Sequence, residues 1–202
     1  MAGDIDRLCQ EARAFGFRTV CVQPVFVAQA ARALAGSSVG VAAVVGFPHG
    51  ANTTETKLFE ARRAVDDGAT ELDVVANLGW IRAGAGARLS AEIEALVALA
   101  GGVPVKVILE TAMFDEAEKT AAARAVLVAR PAFLKTSTGF GPGGATIEDV
   151  ALLRRLAGAT AQVKASGGIR TRAQALALRA AGADRLGASA SAALVTIGEA
   201  EG

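Results

Sequence analysis

The feature that most constrains this chain is the regular alternation of short apolar runs with longer amphipathic stretches along 202 residues. Strand-like runs fall at residues 18–22, 39–45, 72–76, 104–109, 132–136, 161–164 and 184–186. Helical patterns separate them, at 55–65, 91–99, 116–128, 147–156 and 172–180, and a further one, 4–15, opens the chain with Ile5, Leu8, Cys9, Ala12 and Phe15 on one face. Apolar strands joined by crossover helices form a parallel sheet covered on both faces. A βα repeat without a linker or a break in composition predicts one α/β domain over residues 1–202, a TIM (β/α)8-type barrel. By pattern alone a doubly wound open sheet stays open. The count is uneven. Seven strands are visible where eight are expected, and the chain starts on a helix.

Charge and composition narrow the classes of function. The formal net charge is +1, with acids and bases interspersed. There is no polybasic face, so neither nucleic acid nor a membrane surface is an expected partner. Cys9 and Cys21 have no metal-ligand spacing, and the N-terminus lacks the apolar stretch of a signal peptide. The expected compartment is the cytoplasm.

The informative residues are lysines. Most basic residues are Arg, with Lys only at Lys57, Lys106, Lys119, Lys135 and Lys164. Arg keeps its proton in a protein, whereas a Lys beside another cation in a partly dry pocket can become a neutral nucleophile. Lys135 lies in Phe133-Leu134-Lys135-Thr136-Ser137-Thr138-Gly139, and Lys164 in Val163-Lys164-Ala165-Ser166-Gly167-Gly168. Two strand lysines one βα unit apart suggest an amine nucleophile with a cationic neighbour. A structural Lys–Asp network is the other reading.

Asp73, in Glu71-Leu72-Asp73-Val74-Val75, puts a carboxylate inside an apolar strand, where an unpaired charge is costly. It reads either as a structural partner of one cation or as a proton relay. Lys106 reads as an ion-pair member near the barrel floor, and Glu110 as a polar group of the pocket. Ser166-Gly167-Gly168 precedes one helix, and Gly187-Ala188-Ser189 opens the last. Turns of this kind at successive helix N-termini suit an anion such as a phosphate group. His49, the sole histidine, reads as a loop residue, Cys21 as a small apolar residue packed near the pocket, and Trp80 as a cover for the barrel rim.

Taken together these segments resemble the deoxyribose-phosphate aldolases, class I aldolases on a TIM barrel. The resemblance runs from about residue 6 to 198. Its markers include Val20-Cys21-Val22-Gln23-Pro24, Val44-Val45-Gly46-Phe47-Pro48, Glu55-Thr56-Lys57 and Val105-Lys106-Val107-Ile108-Leu109-Glu110-Thr111, besides both lysine motifs. It implies that Lys135 is the Schiff-base lysine, Lys164 the second lysine beside it, and Asp73 the carboxylate that works with Lys164 in proton transfer. It further implies phosphate binding around Gly167, Gly168, Gly187, Ala188 and Ser189 with Thr138 nearby, no cofactor and no metal. The partners would be a small phosphorylated sugar and acetaldehyde, and the assembly a homo-oligomer, dimer or tetramer.

The chain departs from the family pattern in two places. Phe140 stands where some members carry a lysine, and the family's usual first strand, of the type Ile-Asp-His-Thr-Leu-Leu, has no counterpart. A shortened chain or misplaced start, a seam filled by another segment or subunit, and a variant of reduced efficiency all fit that absence. A non-catalytic phosphosugar-binding barrel is the competing function.

Overall fold

The computed structural model describes residues 2–196. Its elements are α1 (Ala2–Phe15), β1 (Thr19–Val22), α2 (Val27–Ala33), β2 (Gly40–Val45), α3 (Thr54–Asp66), β3 (Glu71–Val75), α4 (Leu78–Arg82) and α5 (Gly86–Ala100). Then follow β4 (Val105–Ile108), α6 (Glu116–Leu127), β5 (Phe133–Lys135), α7 (Ile147–Ala157), β6 (Gln162–Ser166), α8 (Arg172–Ala180), β7 (Arg185–Gly187) and α9 (Ser191–Val195). The seven strand-like runs of the sequence all form strands. Short α2 and α4 were not legible beforehand, because too few residues repeat for a period to show.

Local chemistry marks the helix starts. Asp115 accepts from the Glu118 backbone N–H while the Glu118 side chain accepts from that of Asp115, and Thr171 with Gln174 repeats this box at α8. Thr53, Asn77 and Thr146 cap α3, α4 and α7 with single side-chain bonds.

All seven strands are parallel and ordered β1 to β7 as in the chain. Outward residues such as Leu72, Val74, Val107, Leu134 and Val163 are buried beneath the helices and form the apolar core. The inward register is different in kind. Asp73 lies opposite Lys106, Ile108 opposite Lys135, Lys135 opposite Lys164, and Lys164 opposite Arg185.

The sheet is rolled into a barrel wall. Flat, β3 and β7 would stand about 19 Å apart, yet Arg185 on β7 donates to Glu71 on β3 at 2.5 Å. No β1–β7 pairing occurs among the described residues, and α1 touches α9 across that seam. The fold is thus of the TIM type with seven of eight strands. No helix among the described residues is long and apolar enough to cross a membrane.

Candidate active site

Parallel strands place every second side chain on the inner face, so β3 to β7 deliver Glu71, Asp73, Lys106, Lys135, Lys164 and Arg185 into one interior. Lys135 Nζ donates to Asp73 Oδ2 at 2.6 Å, and Lys164 Nζ donates to the same oxygen at 2.8 Å. Lys106 Nζ donates to Asp73 Oδ1 at 2.6 Å and bridges to Glu71 Oε2 at 2.7 Å. Arg185 completes the chain of charges by donating to Glu71 while its guanidinium stacks 4.6 Å from the Phe133 ring centre. Asp73 therefore meets three cations rather than one, and Lys106 is the ion-pair member that its position suggested.

Burial makes these contacts strong. Lys135 and Lys164 are each 4 % exposed, and Asp73 and Lys106 are 0 % exposed. Burial on its own would push Asp73 toward protonation. The charges of Lys135, Lys164 and Lys106 outweigh it and hold Asp73 well below the ordinary carboxylate range. Burial lowers the pKa of Lys135, and the nearby Lys164 charge lowers it further against the pull of Asp73. Burial also opposes the charge on Lys164, but Asp73 prevails and raises its pKa above the ordinary value. Two lysines on one oxygen are driven in opposite directions, toward a neutral amine at Lys135 and an ammonium at Lys164. Such divergence separates a nucleophile from a proton donor.

The remaining residues singled out in the sequence take varied positions. Gly167 (φ 84°) and Gly168 (φ 73°) follow β6 in a turn that requires glycine, and Gly187 ends β7, with Ala188 and Ser189 following it at the same end of the barrel. Thr138 stands by the first of these turns, but its hydroxyl is engaged by Glu110. His49 is exposed, and Trp80 is half-buried against the core. One expectation needs correction. Cys21 does lie beside the pocket, with Sγ 3.8 Å from Asp73 Oδ2, but it is exposed rather than packed as an apolar residue. Its partner on β2 is Ala42, too small to cover it, and no strand among the described residues pairs with the other side of β1.

Sequence reasoning missed two polar features. Lys57 Nζ, fully buried, donates to Glu92 Oε1 at 2.6 Å and to the Val75 carbonyl at 3.0 Å, tying α3 and α5 to the C-terminal end of β3. The signal was present: Lys57 lies on the stripe of Ala61 and Ala64, and Glu92 on that of Leu89, Ile93 and Leu96. The other is the Arg185–Glu71 pair, whose partners are 114 residues apart and carry no local signal. Among the described residues, no group of three His, Cys, Asp or Glu side chains could hold a metal ion.

A rolled parallel barrel with a strand lysine pair gathered on one carboxylate defines a class I aldolase, an enzyme that works through a lysine amine. A family model described as DeoC/LacD family aldolase matches residues 1–198, and the chain belongs to that family. It is 52% identical over 194 residues to the deoxyribose-phosphate aldolase of Thermosynechococcus vestitus, covering 96% of this chain and 88% of the relative. It is 47% identical over 192 residues to that of Brevibacillus brevis, covering 95% and 87%. The tetrameric deoxyribose phosphate aldolase of Aeropyrum pernix superposes with a TM-score of 0.88 at 34% identity, covering 96% of this chain and 82% of that one.

Proposed function

We propose that this chain, as a single barrel domain, reversibly cleaves 2-deoxy-D-ribose 5-phosphate to acetaldehyde and D-glyceraldehyde 3-phosphate, in the catabolism of deoxyribonucleotides. The observation that carries the proposal is the sharing of one Asp73 oxygen by Lys135 and Lys164, with their proton affinities driven apart. In the synthetic direction the neutral Lys135 amine attacks the carbonyl carbon of acetaldehyde. Lys164 protonates the hydroxyl that leaves as water, and an iminium ion forms. Asp73 and the now neutral Lys164 take a proton from the methyl carbon, giving an enamine. That carbon attacks the aldehyde of glyceraldehyde 3-phosphate, and water releases the product and frees Lys135. Cleavage retraces these steps. The iminium is itself the electron sink, so the chemistry calls for no cofactor.

The phosphate would rest on the turns at Gly167, Gly168, Gly187, Ala188 and Ser189, with Thr138 beside them. The enzyme would act in the cytoplasm as a homo-oligomer. Relatives named for this substrate support its identity, and the tetrameric relative together with exposed Val25, Phe59 and Phe140 supports self-association.

The test is mass spectrometry after incubation with acetaldehyde and borohydride. A reduced adduct on Lys135 is expected. A folded protein without an adduct would refute the aldolase reading and favour a barrel that only binds phosphosugars.

A further inference from the structure

Glu110 lies two residues beyond β4, on the inward register of Lys106 and Ile108, and is 1 % exposed. Its backbone is left-handed (φ 49°, ψ 56°), a conformation that a non-glycine residue keeps only where its surroundings compel it. Its Oε2 accepts from the Thr138 backbone N–H at 3.1 Å and from the Thr138 hydroxyl. Thr138 Oγ1 in turn accepts from the Phe140 N–H at 3.0 Å. The other oxygen, Oε1, is buried without a partner. Gly141 lies directly over it, where an added Cβ would come within 2.8 Å of Oε1.

The segment after Thr138 crosses the mouth of the barrel. Phe140, 73% exposed, sets its ring edge-on to Phe47 in the loop after β2, with centroids 5.3 Å apart. At the far end the Ala145 N–H donates to the carbonyls of Ser166 and Gly167, both at 3.1 Å. A Cβ on Gly144 would sit 2.1 Å from the Gly167 carbonyl oxygen, so the segment lies directly on the Gly167-Gly168 turn. A buried carboxylate is a poor neighbour for a phosphate, which makes charge the wrong explanation for Glu110. Its Oε2 takes both hydrogen bonds from Thr138, and that fixes where residues 138–145 run.

We propose that Glu110 is a positioning residue for the phosphate-bearing half of the substrate: by latching Thr138 it holds the 138–145 segment against the Gly167-Gly168 turn, and it takes no part in imine formation at Lys135. This rests on the aldolase reading above. Glu110→Ala removes the latch. Glu110→Gln keeps it, because the amide oxygen can accept from Thr138 while the amide nitrogen takes the place of the unpartnered oxygen. Gly141→Ala attacks the latch from the loop side, since its methyl group would meet Cδ and Oε1 of Glu110 at 2.8 Å and either the carboxylate or the segment must give way.

The experiment measures three quantities in each variant: KM for 2-deoxyribose 5-phosphate, the rate of acetaldehyde trapping on Lys135, and hydrogen exchange of the 138–145 amides. Glu110→Ala and Gly141→Ala are each expected to raise KM about tenfold and to speed exchange of this segment, with trapping within about twofold of the unaltered protein. Glu110→Gln is expected to match the unaltered protein in all three. The double variant should be no worse than Glu110→Ala alone, because the three atoms nearest the added methyl all belong to the Glu110 side chain. Unchanged KM and exchange in Glu110→Ala would overturn the proposal, as would trapping that falls in step with KM. Should Glu110→Ala fail to fold, Gly141→Ala carries the same decision. Failure of the unaltered protein to trap acetaldehyde would instead remove the aldolase reading, while hydrogen exchange would still decide whether the latch exists.

Discussion

Replacing Lys164 with leucine tests the electrostatic logic of the site. Lys135 and Lys164 bond the same Asp73 oxygen at 2.6 and 2.8 Å, so their nitrogens stand roughly 5 Å apart at most. With an effective dielectric constant of about 20, two unit charges at that separation repel by about 3 kcal/mol, or roughly 2 pKa units. Lys164→Leu removes this repulsion and leaves Oδ2 to Lys135, so both changes favour the Lys135 ammonium. The lowered pKa of Lys135 should rise, and the acid limb of its reactivity should move about 2 pH units toward alkali. The assay is the rate of acetaldehyde trapping with cyanoborohydride across pH. Loss of Lys164 as the proton donor lowers this rate at every pH, whereas the position of the acid limb reports the proton affinity of Lys135. Lys164→Arg, which keeps the charge permanently, should leave the limb near its original position. A shift of less than about half a unit in Lys164→Leu would refute the coupling and return Lys164 to a structural role.

Other perturbations read other parts of the site. Lys135→Arg keeps charge and removes the nucleophile, so turnover should fall by more than about a thousandfold with the circular dichroism spectrum unchanged; retained turnover would exclude Lys135 as the Schiff-base residue. Asp73→Asn removes the anion that Lys106, Lys135 and Lys164 share, leaving Lys106 with Glu71 alone, and should cost about 3–5 kcal/mol in urea denaturation at neutral pH. Because folding lowers the pKa of Asp73, its contribution is complete above the unfolded value of about 3.8 and is lost as pH falls through the lower folded one. The gap between the two proteins should therefore persist at pH 5 and close only in strong acid. Lys57→Met leaves Glu92 unpaired and should cost about 3–5 kcal/mol, most of it recovered in Lys57→Met/Glu92→Leu, whose side chains refill the space without charge; no recovery would show that the pair does more than neutralise itself.

Much of this molecule was legible in its residues because the relevant signals are local. Alternation of apolar runs with helical periods depends on neighbours a few positions away, and all seven strands fell where that alternation placed them. Lysines on apolar strands and a carboxylate inside one are unusual enough to mark an interior with chemistry in it. Cys21 went the other way. Its identity suggested an apolar packing residue, but burial depends on which strands flank it, and among the described residues β1 has a pairing partner on one side alone.

What the tertiary structure alone decided is convergence. Asp73 is 62 residues from Lys135 and 91 from Lys164, and only the rolling of the sheet brings them to one oxygen. The sequence could name a nucleophilic lysine and a cationic neighbour, but the burial and the contacts that shift them exist only after folding. The Glu110 latch is decided in the same way: nothing local to Thr138, Gly141 and Gly144 points to Glu110 until β4, β5 and β6 set them over a buried carboxylate and a glycine turn. Residue types and their spacing determined which groups this protein carries, while the curvature and register of its sheet determined which of them meet.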